Sequence, residues 1–449
     1  MSAPESIMAA LAAYISGACE RALPAEVIEK TKHHVLDTLA AIVSGSRLAP
    51  AEPVIRYVES LGGTQEALVC GTSTVTTAVN AAMANAMLAH ADETDDSHLT
   101  SRSHLGCGVV PAALAMGERE GSSGARLLRA VTLGYDIGAR VCHALGTDQL
   151  YAAGHSTHTF APTFGAAATA GALAGLSARQ CRWLLSYTAQ QTSGINCWQR
   201  DQNHMEKAFD FGGMAGRNGV TAATMVQAGF TGVDDVFSGP RNFLFAFSPE
   251  PQPERFVEGL GERYEIMHTN IKKWSVGSPV QAVLDSLQAL IVEPGLGAED
   301  VESVVVRMSD RESHVVEGSG MPNVNVHHLA ALMIVDGTVT FAAAHDASRV
   351  EDSAVQAMRA RIELRPDPDL PRRQPVVILK SRDGKTREHA TRAVRGTPDN
   401  PMSRKEVEHK ARELTAPILG GERTDALIAA IWDLENFGDV SELRAWLTA

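Results

Sequence analysis

Val27 to Val43 reads VIEKTKHHVLDTLAAIV, and this stretch decides the fold class. Ile28, His34–Val35, Thr38–Leu39 and Ile42 recur at intervals of three and four, the period of one helix face. The same texture runs outward through residues 1 to 262. Ser177 with Gln180 forms a capping box that opens a helix through Leu185. Ser123 opens another through Leu127, Leu128 and Val131. Small residues (Ala81-Ala82, Ala166 to Ala168, Ala222-Ala223) let helices approach closely, so these helices are expected inside a bundle.

The texture changes near Lys272. Val301 to Met308 is β-branched and alternating, which predicts a strand. Val376–Lys380 and Lys385–Ala390 flank Asp383-Gly384, a two-residue hairpin signal. Ser353 to Arg361 reads as a helix between them. Helical texture returns at Pro398, and Ser403 with Glu406 forms another capping box. The expected fold is mainly α: a large all-helical domain built from both chain ends (1–262 and 398–449), plus a smaller α+β domain (263–397).

With 449 residues, the chain can hold two or three domains and a large core. Its net charge of -13, from 40 Lys and Arg against 53 Asp and Glu, argues against nucleic acid as a partner. An anionic ligand would then need a local pocket of opposite sign. Six cysteines lie in the first half with no CxxC pair, as expected of reduced thiols in a cytoplasmic protein. Met1 to Glu5 does not open a signal peptide, and no apolar run approaches ~20 residues, so no membrane partner is expected. There is no phosphate-binding glycine loop, no GxSxG elbow and no iron–sulfur spacing, and no cofactor is expected.

Chemistry concentrates in four places. His90-Ala-Asp-Glu-Thr-Asp-Asp-Ser-His98, with Ser101-Arg-Ser-His104, ends the predicted helix Val79–Ala89. It admits three readings: a solvated acidic loop, a metal site from Asp95, Asp96, His98 and His104, or a proton-transfer site in which carboxylates tune a histidine. His155-Ser-Thr-His158 precedes a small-residue helix, Thr163–Ala174; the histidines are structural or part of an anion site at the helix entry. Lys207 stands before a glycine-rich helix entry, as a surface lysine or a point charge for a carboxylate. Lys272-Lys273-Trp274 opens the α+β domain, as a linker or a second anchor.

In order along the chain, these segments resemble the MmgE/PrpD family, which includes 2-methylcitrate dehydratase, cis-aconitate decarboxylase and iminodisuccinate epimerase. The pattern HA…DD[ST]H…HP is similar to His90-Ala91, Asp95-Asp96-Ser97-His98 and His104-Leu105. TKxxHxGxAAxxG is similar to Lys207, Gly212, Ala215 and Gly219, with Asp210 where the histidine is usual. Gly229-Phe-Thr-Gly232, Lys272 with Trp274, and Gly396-Thr-Pro398 through Pro401-Met-Ser403 follow. The resemblance implies a homodimer and an active site between a helical domain and an α+β lid. It implies catalytic roles for His104, one of His155 and His158, Lys207 and Lys272. It implies substrate binding by Glu93, Asp96, Ser97 and His98, with His328 where the family carries a lid tyrosine.

Such residues suit proton movement at a carbon next to a carboxylate of a small polycarboxylate, without metal or cofactor. A lyase of the 2-methylcitrate dehydratase type is the first expectation. An epimerase of an iminodisuccinate-like substrate and a cis-aconitate-type decarboxylase are the alternatives. A non-enzymatic helical protein is the reading outside this class.

Overall fold

The helix expected over 27–43 runs Ala25–Gly45, and nearly every residue from Thr31 onward is buried, polar ones included. A helix buried all round must find internal partners for its polar side chains. Thr31 meets Thr132 at 2.8 Å, His34 meets Asp96 at 2.8 Å, and Asp37 lies 2.6 Å from the Lys410 ammonium. The helix is therefore a central element rather than an outer amphipathic one.

The computed structural model describes residues 6–292, 295–318 and 320–449. It is mainly helical and divides into two compact units, Met1–Thr269 with Val407–Ala449, and Asn270–Glu406. The junctions fall at 269/270 and 406/407, several residues beyond the sequence expectation of 262/263 and 397/398. The change of texture near 263 begins with short turns around Glu265–His268, and these still pack in the first unit.

The first unit is built on Ala78–Ala89, Gly106–Glu120, Gly124–Leu145, Thr157–Leu173 and Met214–Gln227. Small residues set how close these helices come. A Cβ on Gly165 would stand 2.6 Å from the carbonyl of Gly134, and one on Gly134 would stand 2.2 Å from Thr169 Oγ1. Backbones in direct contact fix the relative positions of two helices tightly. The C-terminal helices Arg404–Leu419 and Gly421–Trp432 join this unit through Lys410, and Lys32 Nζ donates to the Trp432 carbonyl at 2.7 Å. Among the described residues, no helix is long and apolar enough to cross a membrane.

The second unit carries a four-stranded sheet in the order Ile362–Asp367, Val301–Ser309, Val376–Ser381, Thr386–Ala390. The first pair is parallel and the other two are antiparallel. Val304, Val306, Val377 and Leu379 pack one face of the sheet into a core with Leu329, Leu332 and Met333. The hairpin differs from the expected two-residue turn. Ser381 N donates to Lys385 O at 2.9 Å, enclosing three residues, and Gly384 takes φ 84°. Three-residue hairpins need one left-handed position, which glycine supplies without steric cost. Ile362–Asp367 escaped the sequence reading because Pro366 breaks the strand pattern; as an edge strand it tolerates proline.

Candidate active site

His90 caps the end of the Ala78–Ala89 helix, and from it the acidic segment folds inward rather than into water. His90, Asp95 and Asp96 are fully buried, and Glu93, His98 and His104 nearly so, which overturns the solvated-loop reading. Buried acids need donors, and each has them. Asp96 accepts from Tyr135 Oη at 2.5 Å, His34 Nδ1 at 2.8 Å and the backbone N–H of Gly106 at 3.0 Å. Gly106 begins the Gly106–Glu120 helix, so the carboxylate also sits at a helix N-terminus. Burial works to raise the Asp96 pKa, but the bonds from His34 and Tyr135 bring it below the usual carboxylate value. With its lone pairs engaged by the protein, Asp96 anchors the loop. Burial lowers His34 to about 4, so it faces Asp96 as a neutral donor.

Asp95 has a different geometry. Its Oδ1 accepts from His90 Nδ1 at 2.9 Å and from His104 Nδ1 at 3.1 Å. Burial opposes the charge, yet the two imidazoles hold Asp95 well below the usual carboxylate value. One carboxylate thereby assigns the Nδ1–H tautomer to both rings and directs each Nε2 away from it. His98 is engaged elsewhere: Nδ1 lies 2.7 Å from Ser101 Oγ, and Nε2 lies 3.3 Å from Glu265. Asp95 and His104 bond each other, while Asp96 and His98 have partners elsewhere, so the four do not converge as metal ligands. Ser97, half-buried on the same loop, lies next to these residues.

Beyond Asp95 the imidazoles form a chain. Ring centroids of His90 and His104 are 4.9 Å apart, those of His104 and His158 5.4 Å, and those of His90 and His204 5.1 Å. Phe211 stacks on His158 at 3.9 Å and on His90 at 4.2 Å. Phe211 reaches both because Phe209–Gly213 is a π turn, and because a Cβ on Gly212 would lie 2.1 Å from the carbonyl of Ala86. π turns inside helices often mark functional positions. Lys207 belongs to this helical run rather than preceding it, and its ammonium pairs with Glu93. The ammonium also lies 5.3 Å from the Phe211 ring and 5.5 Å from that of Trp198.

Of the two histidines in the second cluster, His158 joins the group. It stands in the first turn of Thr157–Leu173, so that helix starts six residues earlier than expected. His155 lies apart, half-buried against Phe160 at 5.7 Å and Phe247 at 5.5 Å. Burial, then the neighbouring His104, pushes the His158 pKa well down. Burial similarly lowers His204 and His90, so these three rings are neutral bases near pH 7. Asp210 accepts from Ser156 Oγ, tying the π turn to the start of the His158 helix, and burial raises it to about 6.

Glu93, His104, His158 and Lys207 are therefore brought together in the first unit. Lys272 and His328 belong to the second. Lys272 is buried there beside Trp274, whose indole donates to Asp285 at 3.2 Å. His328 is buried in the first turn of Val326–Asp336, and burial lowers it to about 4. Both lysines are buried, which corrects the view of them as possible surface or linker residues. Sequence reasoning left out Asp95 as an orienting group, took His34 only as part of a helix face, and gave no role to Tyr135, Trp198, His204 or Phe211. The His90–Asp95 spacing was visible. Nothing local marked His34 or Tyr135, which reach Asp96 across 62 and 39 residues.

The model for the MmgE/PrpD N-terminal domain matches residues 9–255, and that for the MmgE/PrpD C-terminal domain matches residues 274–434. The chain belongs to the MmgE/PrpD family. Within that family it is similar to a cis-aconitate decarboxylase-like protein, oryM, of Aspergillus oryzae, with 24% identity over 95% of this chain and 94% of the relative. It is 28% identical to the cis-aconitate decarboxylase of Aspergillus terreus over 58% of this chain and 56% of that one. It is 23% identical to the cis-aconitate decarboxylase of Homo sapiens over 99% of this chain and 95% of the relative.

Proposed function

We propose that this MmgE/PrpD protein is a cofactor-independent lyase that moves a proton at a carbon next to a carboxylate of a small polycarboxylate. The observation that carries the reading is the approach of His104 and His158 at 5.4 Å beside the Lys207–Glu93 pair. Lys207 holds a substrate carboxylate and balances the charge that builds on it. His104, oriented by Asp95, carries the proton, and His158 supplies a second neutral base.

Decarboxylation is the first reaction to test, because the named relatives are cis-aconitate decarboxylases. The bond to one carboxylate breaks, carbon dioxide leaves, and the electron pair left on carbon takes the Nε2 proton of the His104 imidazolium, which returns to the neutral Nδ1–H tautomer. In dehydration the histidine instead removes a proton from carbon and returns it to the departing hydroxyl, which leaves as water. In epimerisation the proton returns from the opposite face. Lys272 as a second carboxylate anchor, and a homodimeric state, belong to the same proposal.

Proton NMR in heavy water, with cis-aconitate, 2-methylcitrate and an iminodisuccinate-type substrate, separates these outcomes. Decarboxylation releases carbon dioxide and places one deuterium at the protonated carbon. Dehydration creates or consumes a vinylic signal, and epimerisation exchanges a C–H without an alkene. No turnover and no binding with any polycarboxylate would overturn the proposal.

A further inference from the structure

Proton transfer through His104 leaves two buried ring nitrogens without a role. His90 commits Nδ1 to Asp95 at 2.9 Å, and its Nε2 is buried with no hydrogen-bond partner among the described residues. His204 Nε2 is likewise buried without a partner. His204 also holds φ at 58°, a left-handed conformation that side chains other than glycine adopt rarely. Such outliers persist where the surroundings enforce them, and they cluster at ligand sites. This backbone helps place the His204 ring 5.1 Å from that of His90. One ligand atom each from His90, Glu93 and His204 lies within 4.8 Å of the others.

Two imidazoles and a carboxylate are the donor set of zinc and its first-row neighbours. We propose that His90, Glu93 and His204 form a site for a transition-metal dication, and that the ion inhibits by competing with Lys207 for Glu93. Tetrahedral zinc with bonds of about 2.1 Å holds its ligand atoms roughly 3.4 Å apart, so the three side chains close around it. A dication on Glu93 stands where the Lys207 ammonium now pairs, and like charges exclude each other at that range. Lys207 then withdraws, and with it the positive charge available to an anionic ligand. The site differs from the Asp95, Asp96, His98 and His104 set; metal binding there does not rest on the proposed reaction, whereas the inhibition rests on the role of Lys207 in it.

Calorimetric titration of the EDTA-stripped full-length chain with zinc chloride tests this. One zinc per chain with a micromolar or tighter Kd is expected. Glu93→Gln and His204→Asn each weaken it by about tenfold or more; asparagine is chosen because it tolerates the left-handed backbone. Lys207→Met tightens it by about tenfold, since the competing cation is gone. Cobalt gives a second readout: visible bands of a nitrogen–oxygen tetrahedral site in the wild type, lost in His204→Asn. No binding tighter than about millimolar, or equal affinity in the wild type and both ligand variants, would overturn the site. Unchanged or weaker affinity in Lys207→Met would overturn the competition. Because the ion is inhibitory, prolonged EDTA treatment leaves turnover intact; loss of turnover restored by a divalent ion would make it a cofactor and refute the inhibition. The titrations need no substrate, so they stand or fall apart from the proposed lyase activity.

Discussion

Lys207 meets Glu93 where both side chains are almost dry, so a substitution at either one tests two properties at once. Lys207→Ala and Lys272→Ala are each expected to lower kcat/KM by roughly two to three orders of magnitude, as for loss of a preorganised charge partner. Arginine should recover little, because a planar fork does not replace a compact ammonium. Lys207→Ala also leaves the Glu93 carboxylate buried without its cation, at a cost of about 3 kcal/mol. Adding Glu93→Gln should return most of the melting temperature and none of the activity. Near-normal steady-state kinetics in both alanine variants would show that other groups hold the carboxylates. Asp95 makes a separate case. Asp95→Asn keeps an oxygen able to accept both Nδ1–H groups but removes the charge, and its amide NH2 can turn toward a ring instead, so the His104 tautomer is no longer assigned. A fall in kcat of roughly two to four orders is expected with little change in KM, by analogy with the loss of an orienting aspartate in a triad. A change confined to KM would place Asp95 in binding rather than in orientation. The candidate residues were visible as residue types: clustered histidines and acids are costly to bury unless they serve one another. Which histidine of the second cluster joins them was not visible, because three positions on a helix start turn His158 toward His104 and leave His155 against Phe160.

The π turn Phe209–Gly213 and the helix Thr157–Leu173 are held together at one point, where Ser156 and Thr159 bond Asp210 through its side chain and backbone carbonyl. Burial raises the Asp210 pKa from 3.8 to about 6. The folded state therefore binds a proton more tightly than the unfolded chain, and stability attributable to this group is greatest below about pH 4 and lost as pH rises through 6. Asp210→Asn keeps an acceptor for Ser156 and removes the charge. Its stability relative to the wild type should improve between pH 4 and pH 7 by up to about 3 kcal/mol. Chemical denaturation of both proteins across that range measures the slope, and a flat difference would show that folding leaves the Asp210 pKa where it is in the unfolded chain. At this scale the sequence was legible where a signal is local. The capping box of Ser177 and Gln180 is present, and Ser123 caps Gly124–Leu145. The π turn was not legible, because its geometry depends on Gly212 seating against Ala86 of a distant helix. The start of the Thr157–Leu173 helix was missed because Pro162 lies inside it, five residues after its first position. Tertiary packing tolerates that proline; local propensity argues for a later start.

Charge acts at the scale of the whole molecule, and there it opposes the proposed ligand. A net -13 repels a di- or tricarboxylate over distances that only dissolved ions can shorten. Residues Val407–Ala449 cluster with the first unit, and the chemistry there was not visible in the sequence: Lys410, more than three hundred residues from the acidic loop, donates to the Thr94 carbonyl at 2.9 Å and lies 2.6 Å from Asp37. Such internal pairing neutralises buried charge locally without changing the far field. Two ranges of interaction therefore respond differently to salt. At 0.01 M ionic strength the screening length is about 30 Å, and at 0.15 M it is about 8 Å. Long-range repulsion is removed across that interval, whereas a carboxylate pairing with a buried lysine is screened little. If Lys207 supplies the reversal of sign, kcat/KM for a polycarboxylate should rise with salt by about two- to fivefold between those limits, then level off. Lys207→Ala should keep the same salt slope at a much lower activity, because the repulsion comes from the rest of the molecule. A steady fall in wild-type kcat/KM with added inert salt would mean that a positive field already guides the substrate, and that the acidic surface lies away from its path.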